Sequence, residues 1–263
     1  MPRGKSSNPS TSSRGQSSSQ MSHSSQASSS SQSQSQAHKV VAIMDQSELK
    51  RKVDELVQFL LVMDQKKIPI KKADINKTVM KEHSKGLPAV MKIAADHLQK
   101  VFGIEIVELQ DKLKGSYILI NKMKDPTHLA WNDADNAKTG LLVVVLSIIF
   151  MSGNVVQDGE LWHSLRGFGV NPDQHHETFG DVKKLVMQEF VKQAYLETTR
   201  VPNSDPSVYE VRWGQRAMHE TSKKDILKFV CLLYKMEPAQ WASQYQDAME
   251  EEETARNAAA GSV

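Results

Sequence analysis

Two adjacent histidines, His175 and His176 in "NPDQHHETF", are the nearest thing in the sequence to a metal-ligand pair. A structural zinc needs four donors in tetrahedral array, and no second ligand pair accompanies them. The single cysteine, Cys231, sits in the apolar stretch "DILKFVCLLY". One thiol forms no intrachain disulfide, which fits a reducing, intracellular compartment. Its expected fate is burial as a small apolar side chain. No phosphate-cradling glycine loop and no nucleophile elbow occur. The "GFG" at 167–169 is expected to stop a helix. These residues point to a chain that binds rather than catalyses, without metal or cofactor.

Binding chemistry is better represented. Formal net charge is +2 over 263 residues, so basic function must sit in local patches. Lys183 and Lys184 open "DVKKLVMQEFVKQ", and Arg166 lies on the helix expected before it. Arg212 and Arg216 flank the end of "YEVRW". Together the five are candidate phosphate contacts that carry no sequence information; ordinary solvated charge is the plainer alternative. The Arg/Asn clusters that read base edges bidentately are missing from the helices that would enter a groove. Lys66, Lys67, Lys71 and Lys72 surround "IPI" like lysines guarding a strand edge.

The elements that must position these residues follow from periodicity. The most apolar run, Leu141–Met151, has about half of the roughly 20 residues a membrane span needs. It is expected to be a core helix, and the chain to be soluble with no membrane partner. Residues 1–38 are Ser/Gln-rich, carry Arg3, Lys5 and Arg14 without acids, and lack the apolar surface that offsets ordering entropy. A disordered tail with serines open to phosphorylation is expected, and no signal peptide. Two units should follow, at 47–121 and 139–236, joined by a polar linker at 122–138. An acidic helix and tail at 237–263 close the chain, with Asp247 and Glu250 to Glu253 set against Arg256; a solvated, fraying end is expected there.

Each unit reads helix, short strand, helix, helix, strand, turn, strand. In the first, Ser47–Met63 is followed by "KIPIKK", "ADINKTVMKEH", "LPAVMKIAADHLQKVF", "IEIVEL" and "SYILIN". In the second, Leu141–Met151 is followed by "NVV", "QDGELWHSLRGFG", "DVKKLVMQEFVKQ", "AYLETTRV" and "YEVRW". That order predicts a mainly α chain with small β wings (α+β), two winged helices in tandem.

Two apolar surfaces stand out. On the first helix Leu49, Val53, Leu56, Leu60 and Met63 form one stripe at 3.6-residue spacing. Leu61 and Val62 fall off it, and are either covered by neighbouring elements or open to a partner. In "DILKFVCLLYKM", Ile226, Leu227, Phe229, Val230, Leu232, Leu233 and Tyr234 are apolar around most of the circumference. Such a helix is either central in its domain or partly open to a partner. A crease between two small domains suits an apolar peptide, and an amphipathic helix would anchor there at i, i+3/i+4 and i+7.

The stretches "TGLLVVVLSIIFMSGN", "YLETTRVPNSDPSVYEVRWGQRA" and "ETSKKDILKF" resemble the MAGE (melanoma-associated antigen) homology domain, over roughly Ser47 to Glu253. Within that family "ELVQFLLVMDQKKIPIKKADI" looks most like the MAGE-type subunit of the SMC five/six chromosome complex. Two departures occur: Val182 and Gln215 stand where the family often has proline.

The resemblance implies tandem winged helices and a non-catalytic adaptor in the nucleus, on chromatin. The adaptor would join a RING-type ubiquitin ligase subunit to a kleisin subunit, enhance the ligase, bind DNA without sequence preference and support DNA repair and recombination. It makes the paired Leu60 and Leu61 the RING-partner contact, and the off-stripe Val62 is taken with them. It places a kleisin segment on the second unit, against Ile226, Leu227, Val230 and Tyr234. Arg166, Lys183, Lys184, Arg212 and Arg216 remain the DNA candidates. The competing readings are a sequence-specific winged-helix regulator and an adaptor for a ligase outside the SMC complex.

Overall fold

The computed structural model describes residues 45–123 and 133–260. The tail expected at 1–38 and residues 124–132 of the expected linker lie outside them. The last six residues of that linker do not behave as one: helix α4 begins at Asp133.

The first half opens with α1 (Gln46–Asp64). Its buried face is Val53, Leu56 and Leu60, the period-3.6 stripe expected of an amphipathic helix. Met63, expected on that stripe, is instead exposed. Lys52 joins the buried face because its ammonium donates to the Val79 carbonyl at 2.6 Å and to Glu55 at 2.9 Å. After the short strand β1 (Ile70–Lys71) comes α2 (Lys72–Ile75), extended by a π-helical turn over Asn76–Met80 and a 3-10 segment over Lys81–Gly86. Helix α3 (Leu87–Phe102) buries Leu87, Val90, Ala94 and Leu98. Gly103 ends it at φ 63°, where any Cβ would also meet the Met123 side chain at 2.7 Å. Strands β2 (Ile104–Glu108) and β3 (Ser116–Asn121) pair antiparallel in register Ile106↔Leu119, and β1 adds to the other edge of β3.

The second half repeats the order. Helix α4 (Asp133–Met151) buries Leu141, Leu142, Val145, Leu146, Ile148, Ile149 and Phe150. At about 100° per residue these cover over half of the circumference, and Val143 and Val144 on the remaining side are partly buried, a wider apolar face than a surface helix shows. Among the described residues no helix is long and apolar enough to cross a membrane. Strand β4 (Val156–Gln157) leads into α5 (Asp158–Gly167). A small hairpin, β5 (His175–His176) with β6 (Gly180–Asp181), then interrupts the pattern. Helix α6 (Val182–Lys184) runs into a π-helical turn, Leu185–Phe190. Strands β7 (Leu196–Arg200) and β8 (Tyr209–Trp213) pair antiparallel with Thr198↔Val211, and β4 flanks β8. Then come α7 (Gln215–Glu220), α8 (Lys223–Tyr234) and α9 (Ala242–Ala260). The hairpin and α7 were not expected; both are too short for periodicity to register.

Each half has its own core. A third, small cluster of Leu109, Ile118, Ile120 and Ala194 joins residues of β3 and the loop after β2 to the second half. The acidic end is solvated only in part: Glu250 and residues 253–257 are exposed, but Asp247, Glu251 and Glu252 are not free. Helix α9 packs on α8, where Asp247 receives the Lys223 ammonium at 2.6 Å and Glu252 that of Lys224 at 2.8 Å. Glu251 accepts the backbone N–H of Lys223, the first residue of α8, at 2.8 Å. Carboxylates placed there complement the positive end of the α8 dipole.

Candidate functional site

The end of α1 presents an apolar edge. Leu60 does not belong to it: at 0% exposure it is part of the first core. One residue on, the helix has turned about 100°, so Leu61 is half-buried and Val62 is 55% exposed, with Met63 beside it. The surface expected at Leu60, Leu61 and Val62 is therefore displaced by one residue along the chain.

The basic residues do not form one free patch. Arg216 is the clear departure. Its side chain is 0% exposed and cannot reach a phosphate. Instead its Nε donates to the Gln193 carbonyl at 2.9 Å and one terminal nitrogen to Glu220 at 3.0 Å. The same nitrogen lies 3.5 Å from the Leu119 carbonyl and 3.8 Å from the Asp64 carboxylate, and the guanidinium stacks 5.6 Å from the Tyr195 ring centroid. Asp64 ends α1 and Leu119 lies on β3, so Arg216 bridges the two halves. Beside it Tyr195 donates its hydroxyl to Glu220 at 2.7 Å. Burial, reinforced by the Glu220 charge, pushes that phenol far above its ordinary pKa.

Arg166, Lys183, Lys184 and Arg212 are on the surface. Asp181 caps α6 by accepting the Lys184 N–H at 2.9 Å, and buried Val182 anchors its first turn. These supply the helix start that proline would otherwise preset. Arg166 and Lys183 both bond the Asp173 carboxylate, and Arg212 pairs with Glu210 at 2.8 Å. The Lys183 and Arg166 contacts hold the Asp173 carboxyl below the usual carboxylate range.

A third surface lies between α4, α5 and α8. A cavity of about 210 Å³ is lined by Ile148, Phe168, Phe229, Val230, Leu233 and Tyr234, among others. Of the expected contacts, Tyr234 is exposed at its rim and Val230 lies at its floor. Ile226 and Leu227 do not reach it: both face the second core. Phe168 was missed. Helix α5 stops as its glycines suggested, with Val170 N–H donating to Leu165 O and Gly169 N–H, at φ 82°, to Arg166 O. This paired closure leaves Phe168 half-exposed at the cavity. An aromatic just before the helix-stopping Gly169 was the available signal.

His176 is not placed as a ligand. Its Nδ1 accepts the N–H groups of Thr178 and Phe179 at 3.1 and 3.3 Å, and its ring stacks on Phe179. Among the described residues no group of three or more His, Cys, Asp or Glu is placed to hold a metal ion.

Two helix-rich halves with small antiparallel sheets define a mainly helical fold of the α+β class. The chain belongs to the MAGE homology domain family, whose model matches residues 56–224. It is 46% identical over 221 residues to the human (Homo sapiens) Non-structural maintenance of chromosomes element 3 homolog, covering 83% of this chain and 72% of that one. To the human Melanoma-associated antigen D2 it is 46% identical over 208 residues, 78% of this chain but 34% of that protein. Among solved structures, a chain of an "Nse1-Nse3-Nse4 complex" superposes with a TM-score of 0.74 at 45% identity, covering 78% of this chain and all of that one.

Proposed function

We propose that this chain is a non-catalytic adaptor subunit of a nuclear SMC five/six-type complex. It joins a RING-type ubiquitin ligase subunit to a kleisin subunit, enhances the ligase and contacts DNA without sequence preference, in support of DNA repair. The observation that carries this reading is the 46% identity to an element 3 homolog along most of both chains, with an Nse1-Nse3-Nse4 complex as structural neighbour. We read the halves as tandem winged helices joined near 122–132, which the repeated element order supports. In this reading the RING partner takes Leu61 and Val62, with Leu60 holding them from the core. The kleisin segment takes the cavity at Phe168, Val230, Leu233 and Tyr234. DNA meets Arg166, Lys183, Lys184 and Arg212.

A second reading, an adaptor for a ligase outside that complex, is favoured by the equal identity to Melanoma-associated antigen D2. Co-purification of the chain from its source cells decides between them. Recovery of SMC, kleisin and RING subunits together supports the first; a RING ligase without SMC or kleisin subunits supports the second. Reconstitution assigns the surfaces. Val62→Asp should abolish RING-partner binding and spare kleisin binding, and Phe168→Ala with Tyr234→Ala should do the reverse.

A further inference from the structure

We propose that Asp173 sets which anions the basic surface accepts, admitting a polyanionic strand and turning away isolated phosphates. The inference rests on the DNA-contact reading of that surface. Arg166 lies in the last turn of α5 and Lys183 in α6, and the loop between those helices sets one carboxylate between the two cations. Lys183 donates to Asp173 Oδ1 at 2.6 Å and Arg166 to Oδ2. The backbone that carries this carboxylate is fixed by a local turn, since Asn171 Oδ1 accepts the Asp173 backbone N–H at 3.0 Å. All three charged side chains are about half-exposed, at 46–48%. The cluster thus shows a single net positive charge where the sequence suggests two.

The consequence depends on charge density. Exposed ion pairs are weak and screened by salt, so a row of phosphates can take over the cations from Asp173. A lone phosphate brings one contact and meets the carboxylate's repulsion with no neighbouring phosphate to offset it. Lys184, whose amine has no acidic partner among the described residues, would make the first contact of an incoming strand.

The test measures binding of the full chain to a short duplex of arbitrary sequence, across a salt series, and to inorganic phosphate. Asp173→Asn frees both cations. It should tighten duplex binding about 3–10-fold at low salt and steepen the log–log salt slope by about 0.9, the share of one further phosphate contact. It should also give measurable phosphate binding. Asp173→Glu retains the charge and should match the parent. The proposal is overturned if Asp173→Asn binds duplex no better than the parent while Arg166→Glu with Lys183→Glu weakens binding. If that double reversal leaves duplex binding unchanged, the surface is not the DNA contact, and the DNA reading itself fails.

Discussion

At the scale of single residues, neighbours in sequence have opposite roles. Leu60 and Val62 are two positions apart on one helix, yet one is core and the other surface. Leu60→Ala should cost about 2–5 kcal/mol through the cavity it leaves. Val62→Ala should stay within about 0.5 kcal/mol of the parent while weakening the RING-type partner. Chemical denaturation and a binding titration on both variants separate the effects; equal stability losses would contradict the burial. Tyr195 gives a pH prediction. Its folded pKa is raised, so it contributes stability below the ordinary phenol pKa of about 10 and loses that contribution as pH rises above it. Ultraviolet titration into alkali should therefore show one of the chain's tyrosines ionising only together with unfolding. Tyr195→Phe should remove that coupled step.

At the scale of elements, α8 is held at both ends by different means. Its N-terminus has Ser222 as cap, accepting the Asp225 N–H at 3.1 Å, and the α9 carboxylates as braces. Burial raises the Asp247 carboxyl, but the bonds from the Asn154 amide and the Lys223 ammonium outweigh it and the net pKa is lowered. A lowered folded pKa means that this contribution is present above the ordinary carboxylate pKa and is lost as pH falls through the folded value. Asp247→Asn should therefore flatten the acid limb of a stability–pH curve and leave its alkaline limb alone. The C-terminus ends on Lys235 at φ 54°, with Met236 N–H donating to Cys231 O. A side chain in that left-handed conformation costs about 1 kcal/mol. Lys235→Gly should thus raise stability by about 0.5–1 kcal/mol with no change in spectroscopic helix content.

At the scale of the whole molecule, the halves are locked where α7 meets the end of the first sheet. Gln110 N–H donates to the Gln215 side chain at 2.7 Å, and the Gln215 amide donates back to the Gln110 carbonyl at 3.0 Å. Proline, common at this place in the family, has no such amide to offer. Gly214 lets the chain pass so close to Ala194 that an added Cβ would lie 2.3 Å from its carbonyl oxygen. Arg216 closes the junction from inside. Arg216→Met leaves Glu220 and Asp64 without their shared cation and the Gln193 carbonyl without its donor. Scanning calorimetry should show one unfolding transition in the parent and two in Arg216→Met, as the halves lose their coupling. A single transition at the parental midpoint would mean that Arg216 does not couple them.

The sequence by itself determined most of the longer helices and strands, though not the β5–β6 hairpin or α7. Periods of 3.6 and 2 are properties of local backbone geometry, and they mark α1, α3 and the two strand pairs within a few residues; α4 is marked at its end, but it starts eight residues before the apolar run. It also determined where α5 stops, because a glycine tolerates the left-handed backbone that ends a helix. Letter-level likeness then brought the family, together with surfaces at the end of α1 and on α8. What it could not determine is which apolar or charged residue ends up in water. Leu60 and Val62 have similar chemistry, and so do Arg212 and Arg216; burial separates each pair, and it depends on elements distant in sequence. Arg216 is enclosed by Asp64, Leu119, Gln193 and Glu220, and Asp173 joins Arg166 to Lys183 across two helices. Such charge pairing acts through space at a few ångströms, and only the tertiary structure decides which charges come that close.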